Sequence, residues 1–88
     1  MKLPFRIRAF HVPGNLEAHQ LSPLSFSQFT FAYLVEGEAL IEVDGKSYLM
    51  GPGQFLLTPE SSTIVPRHIK GCRGFDGNFS LDALKDAS

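Results

Sequence analysis

Along "QFTFAYLV", bulky and small side chains alternate: Phe29, Phe31, Tyr33 and Val35 share one face, and Thr30, Ala32 and Leu34 the other. Period-two alternation of aromatic and β-branched residues predicts a strand. The rhythm recurs in "FRIRAFHV", where Phe5, Ile7 and Ala9 alternate with Arg6, Arg8 and Phe10, predicting a strand with one wet face. "ALIEV" and "KSYLM" are predicted strands joined by Asp44-Gly45, a pair suited to a type I′ turn, which needs positive φ at both central positions. "FLLT" and "TIVPRHI" complete the set, with Pro66 predicting an edge or a bulge in the last. Between them, Pro13-Gly14-Asn15 is expected to end the first strand, Glu36-Gly37-Glu38 to reverse the chain tightly, and "GPGQ" to turn a corner. "EAHQLSPLSFS" reads as a loop and the glycines of "KGCRGFDG" as a flexible connection. In the tail "SLDALKDAS", Ser80 can cap a short helix, Asp82 suits its first turn, and Leu81 and Leu84 lie on one face. Short strands at turn spacings of about 8–12 residues predict an all-β antiparallel sandwich or barrel.

Composition narrows the choice. The 88 residues suffice for one domain, residues 1–88, and eight Phe supply large buried area without tryptophan. A net charge of −1 argues against electrostatic capture of nucleic acid by this chain. No apolar run approaches the ~20 residues of a membrane-spanning helix. The start "MKLPFRIRAF" lacks the continuous apolar stretch of a secretion signal. The single Cys72 can form no internal disulfide, which favours a reducing, cytoplasmic setting.

Candidate chemistry is sparse. His11, His19 and His68 are the three histidines, and no His-x-His pair or partner Glu spacing accompanies them, so they read as scattered surface or rim residues. Arg67-His68 ends the last predicted strand, where it could meet a carboxylate or a sugar hydroxyl. Cys72 has no base assigned to it, Ser61-Ser62-Thr63 reads as a turn, and Glu36 and Glu38 read as turn-solubilising groups. No catalytic residue is assigned.

The pieces "YLVEGEALIEVDGKSYLMGPGQFLLTPE" resemble a cupin, and within that frame the chain looks like the N-terminal sensor domains of AraC-type transcription regulators. The likeness covers roughly residues 29 to 68. It implies a cupin-like double-stranded β-helix of jelly-roll type, complete or cut short, with the short helix after it. Cupin enzymes usually hold a metal through a His-x-His pair, a Glu seven positions before the "eGe" glycine, and a later His. Here the Glu slot is Thr30, the His-x-His region is "SPLSFS", and the later His slot is Ile64, so the resemblance implies no metal and no cofactor. The cupin register puts Thr30, Ala32 and Leu34 inside and leaves Phe29, Phe31 and Tyr33 outside as an interface. The resulting expectation is a metal-free, non-enzymatic sensor binding a small effector, a sugar among the candidates, through Thr30, Ala32, Leu34, Tyr48 and His68. It would form a homodimer and reach DNA only through a domain beyond this chain. The competing expectations are a small metal-dependent cupin enzyme, an isomerase or dioxygenase, using the three histidines, and a standalone carbohydrate-binding cupin.

Overall fold

The computed structural model describes residues 5–79. Its six strands are β1 (Phe5–Glu17), β2 (Leu24–Ser25), β3 (Phe29–Val43), β4 (Lys46–Met50), β5 (Phe55–Thr58) and β6 (Thr63–Phe79). A single 3-10 turn, Ala18–Gln20, follows β1. They form one sheet in the order β1-β6-β3-β4, with β2 also on β6 and β5 also on β3. Every pairing is antiparallel. The all-β expectation is met, and the predicted tail helix from Ser80 lies outside the described residues.

The strands are longer than the turn signals suggest. Pro13-Gly14-Asn15 does not end β1; the strand continues to Glu17 across a register shift between Val12 and Asn15. Glu36-Gly37-Glu38 is no reversal either, because β3 passes straight through it, shifting register against β6 on both sides of Glu36. "KGCRGFDG" is no flexible connection but part of β6, the central strand between β1 and β3. "EAHQLSPLSFS" is loop in part, with the 3-10 turn and the two residues of β2 inside it. At Gly14, Gly37 and Gly71 a glycine that reads locally as a corner is absorbed into a register shift, since pairing along β6 keeps the chain extended on either side of it. The Asp44-Gly45 hairpin turn is as predicted, with φ of 48° and 87°. Asp44 Oδ1 also accepts from the Thr63 amide at 2.9 Å, tying the hairpin to the start of β6. Pro66 stands at a bulge opposite Ile41, with β1 ending beyond it at His68 and β2 pairing before it at Ile64.

The bulges at Gly37 and Gly71 bend the sheet. Leu34 and Ala39 are an odd number of residues apart, yet both are buried in the core, because the register shifts between them swap the faces of β3. Gly37 has φ of +93°, and a Cβ there would stand 2.5 Å from the Gly71 carbonyl oxygen and 2.6 Å from that of Lys70. Only glycine fits so close a crossing of β3 and β6. Cys72, 1% exposed, lies at the same bend and donates its thiol to the Glu38 carbonyl at 3.1 Å. The core gathers there: Leu34, Ala39, Met50 and Cys72, with Phe10, Ile41 and Ile69 packed against them.

Candidate functional site

Side chains paired across an antiparallel sheet point to the same face, so the register assigns each position to the inner or outer wall. Three successive rows line the inner wall of one half. The innermost is Phe10, Gly74 and Leu34; the next is Arg8, Asp76, Ala32 and Leu56; the outermost is Arg6, Asn78, Thr30 and Thr58. The wall therefore grades from an apolar floor to a polar mouth. Leu34 is 3% exposed, Thr30 and Thr58 are buried, and Arg6 and Arg8 remain open to solvent.

Arg8 and Asp76 are the charged pair of this wall. Arg8 Nε donates to Asp76 Oδ1 at 2.7 Å and Nη2 to Oδ2 at 3.3 Å, a two-point contact that holds the guanidinium plane in one orientation. The hydrogen bond first and the carboxylate charge second raise the Arg8 pKa above its ordinary value. Both groups retain unused hydrogen-bonding capacity toward a polar ligand.

A cleft of about 250 Å³ lies at the edge of the roll, lined by Tyr48, Leu49, Met50, Gln54, Phe55 and Leu56. It opens where β4 and β5, both paired to β3, leave residues 34–38 of β3 without a strand on the side away from β6. The corner between them is tied down: Gly53 N donates to Leu34 O at 2.7 Å, Leu34 N to Gln54 O at 3.1 Å, and Gly51 N to Gln54 Oε1 at 2.6 Å. The Gly-Pro-Gly corner thus becomes one border of the cleft.

Of the sequence-predicted ligand residues, Thr30, Ala32 and Leu34 stand together on the inner wall. Tyr48 pairs with Ile41 on the core-side face of β4, half-exposed at the cleft. His68 does not join them. It pairs with Leu40 and Glu17 on the opposite face from Ile69, and its Nδ1 lies 3.2 Å from Glu17 Oε2. Sequence reasoning missed Arg6, Arg8, Asp76, Asn78 and Thr58. The alternation of "FRIRAFHV" held the signal, but its wet face is the inward one, and only the pairing with β6 reveals this. Glu36 does more than solubilise a turn, since it holds Arg73 Nη2 at 2.8 Å.

Structures of known proteins share this fold. An RmlC-like cupin from Shewanella frigidimarina superposes with a TM-score of 0.73 at 17% identity, over 86% of this chain and 66% of that one. The cupin domain of Schizosaccharomyces pombe Cnp3 also gives 0.73, at 13% identity, over 99% of this chain and 65% of that one. A cupin superfamily protein from Desulfitobacterium hafniense gives 0.68 at 15% identity, over 91% and 71%. The fold is a cupin fold. This chain spans about two thirds of the length of the first two of these cupins. No family model matches the sequence, and no curated protein matches it.

Many cupins use the inner wall to hold a metal, and the residues here do not fit one. The positions of β3 that face inward carry a hydroxyl, a methyl and an isobutyl group, and the inward carboxylate of Asp76 is engaged by Arg8. Among the described residues no three His, Cys, Asp or Glu side chains gather closely enough to share an ion. His11 and His19 are exposed, and His68 is on the outer face. Among the described residues no helix is long and apolar enough to cross a membrane.

Proposed function

We propose that this cupin domain is the effector-binding and dimerising module of an AraC-type transcription regulator, and that its effector is a small hydroxylated molecule such as a sugar or sugar acid. The observation that carries the reading is the graded inner wall. Asn78 offers a neutral hydrogen-bonding group, the Arg8–Asp76 pair offers an oriented donor and acceptor, and half-buried Phe10 and Ala32 supply apolar surface, with Thr30, Thr58 and Leu34 buried behind them. Polyols present hydroxyls at their edges and C–H surface on their faces, which matches such a wall.

The transmission of binding follows from β3 itself. Thr30, Ala32 and Leu34 lie on the inner face, while Phe29, Phe31 and Tyr33, one residue away along the same strand, lie on the outer face. A ligand that favours one setting of β3 shifts the equilibrium between association states, and does so only by its difference in affinity for them.

Two measurements test the proposal. Thermal-shift titration of the wild-type chain and Arg8→Ala with pentoses, hexoses and their acids should find a compound that stabilises the wild type and binds about tenfold more weakly to the variant. Absence of any stabilising compound, or stoichiometric iron, manganese, nickel or zinc in the purified protein, overturns the effector reading. The coding sequence past Ser88 tests the regulatory part: paired helix-turn-helix units support it, and an immediate stop codon overturns it.

A further inference from the structure

The outer face of the half-sheet that carries the polar inner wall is strongly apolar. Reading across β1, β6, β3 and β5, it presents Ile7, Phe75, Tyr33, Val35, Phe55 and Leu57, all exposed. Phe55 is the most open of them, at 60% exposure. Together they leave on the order of 600 Å² of apolar surface in water, at the top of the range for the largest patch on an ordinary monomer. A cleft of about 320 Å³ is set into the same face, lined by Ala9, Val35, Phe75, Gly74 and Arg73.

The rings differ in what they can offer. Phe31 stacks on Phe55 with centroids 5.8 Å apart, and Phe29 stacks on Phe79 at 5.2 Å. Phe31 also lies over Gly77, where a Cβ would come within 2.6 Å of its ring. Phe29 and Phe31 are therefore half-buried on this outer face, stacked against neighbouring rings, and the more open surface that a partner would meet is Phe55, Leu57, Phe75 and Ile7.

We infer that a second copy of this chain covers this face about a twofold axis, with Phe55, Leu57 and Phe75 at the centre of the contact. This deepens the dimerising part of the proposed function and rests on it. The argument for a second copy comes from the face itself. It carries both a recess and projecting side chains, as a self-complementary contact needs. Arg73 and Glu36 at its border, paired at 2.8 Å, supply both signs for exchange between protomers. Its area approaches the roughly 800 Å² that each partner buries in a standard interface. A bilayer is the weaker candidate, because binding to anionic lipid wants a cationic surround and the net charge is −1.

Sedimentation velocity across roughly 1–100 µM decides the matter. The wild-type chain should sediment as a dimer. Phe55→Ser and, independently, Phe75→Arg should each weaken association by at least about thirtyfold with an unchanged far-ultraviolet circular dichroism spectrum. Leu49→Ser, at a residue 63% exposed on the other half of the sheet, should leave the dimer intact. A monomeric wild type, dissociation by Leu49→Ser in place of the aromatic variants, or co-sedimentation of the wild type with phosphatidylcholine–phosphatidylglycerol vesicles would overturn the inference. Thermal-shift titration of the monomeric Phe75→Arg chain reads effector binding separately, so failure of the dimer and failure of the sensor reading remain distinguishable.

Discussion

On one side of the bend at Gly37 and Gly71, the outer face of the sheet is a field of aromatic and aliphatic side chains. On the other side, the same strands turn ion pairs outward. Arg67 Nη2 meets Glu42 Oε2 at 3.0 Å and His68 lies against Glu17, with Leu49, exposed beside Leu40, as the open apolar residue among them. The inner walls are inverted in turn. Behind the aromatic outer face stands the polar mouth of Arg6, Arg8, Asp76 and Asn78, whereas behind the charged outer face stand Ile41, Val43 and Ile69. A lone domain minimising its exposed apolar surface would place these faces the other way round in the first half. The contrast teaches that burial alone does not account for the first half, whose apolar side chains face outward and whose polar ones face inward, whereas the second half follows the ordinary division between core and water.

The largest effect is expected from breaking the bend that separates the halves. Gly37→Ala forces a side chain into positive φ and onto two backbone carbonyls, and should cost more than about 3 kcal/mol, seen as a drop in Tm beyond about 10 °C. If Tm changes by less than a few degrees, the bend is not the joint described here. A smaller effect should follow within the aromatic half. Phe31→Ser removes the ring stacked on Phe55 and lying over Gly77 and should cost about 1–2 kcal/mol in urea unfolding, with weaker association and little change in effector affinity. The smallest belongs to the charged half. Glu42→Gln breaks an ion pair whose Arg67 side chain is half-exposed, and should change stability by no more than about 0.5 kcal/mol and leave association untouched. A larger loss there would erase the contrast between the halves.

Much of this was legible in the amino-acid order. The alternation of residues 29–35 and the Asp44-Gly45 hairpin were readable because both are local: a period of two sets the faces of a strand, and a turn type restricts two residues. The bounds of β4 and β5 followed from the same turn chemistry. The error at Glu36-Gly37-Glu38 has a physical cause. A glycine between charged residues fits a reversal and a bulge equally well, and the choice depends on whether β6 lies alongside. The "KGCRGFDG" segment failed likewise, since Gly74 clears space for the β3 backbone at Tyr33 and Gly77 for Arg6 of β1 and the Phe31 ring.

The candidate site divides in the same way. Thr30, Ala32 and Leu34 belong to the inner wall on the strength of one strand's alternation and its resemblance to a known register. Arg8 and Asp76 are 68 residues apart, and only the β1–β6 register brings them together. Which face of "FRIRAFHV" is wet could be read from its own letters, but not that the wet face lines the roll. Local order determined the strands, their turns and the alternation of their faces, because those depend on neighbouring residues. Which face became inner, where the sheet bends and which distant groups meet were decided by the tertiary pairing, because burial is a property of the whole sheet and not of any strand within it.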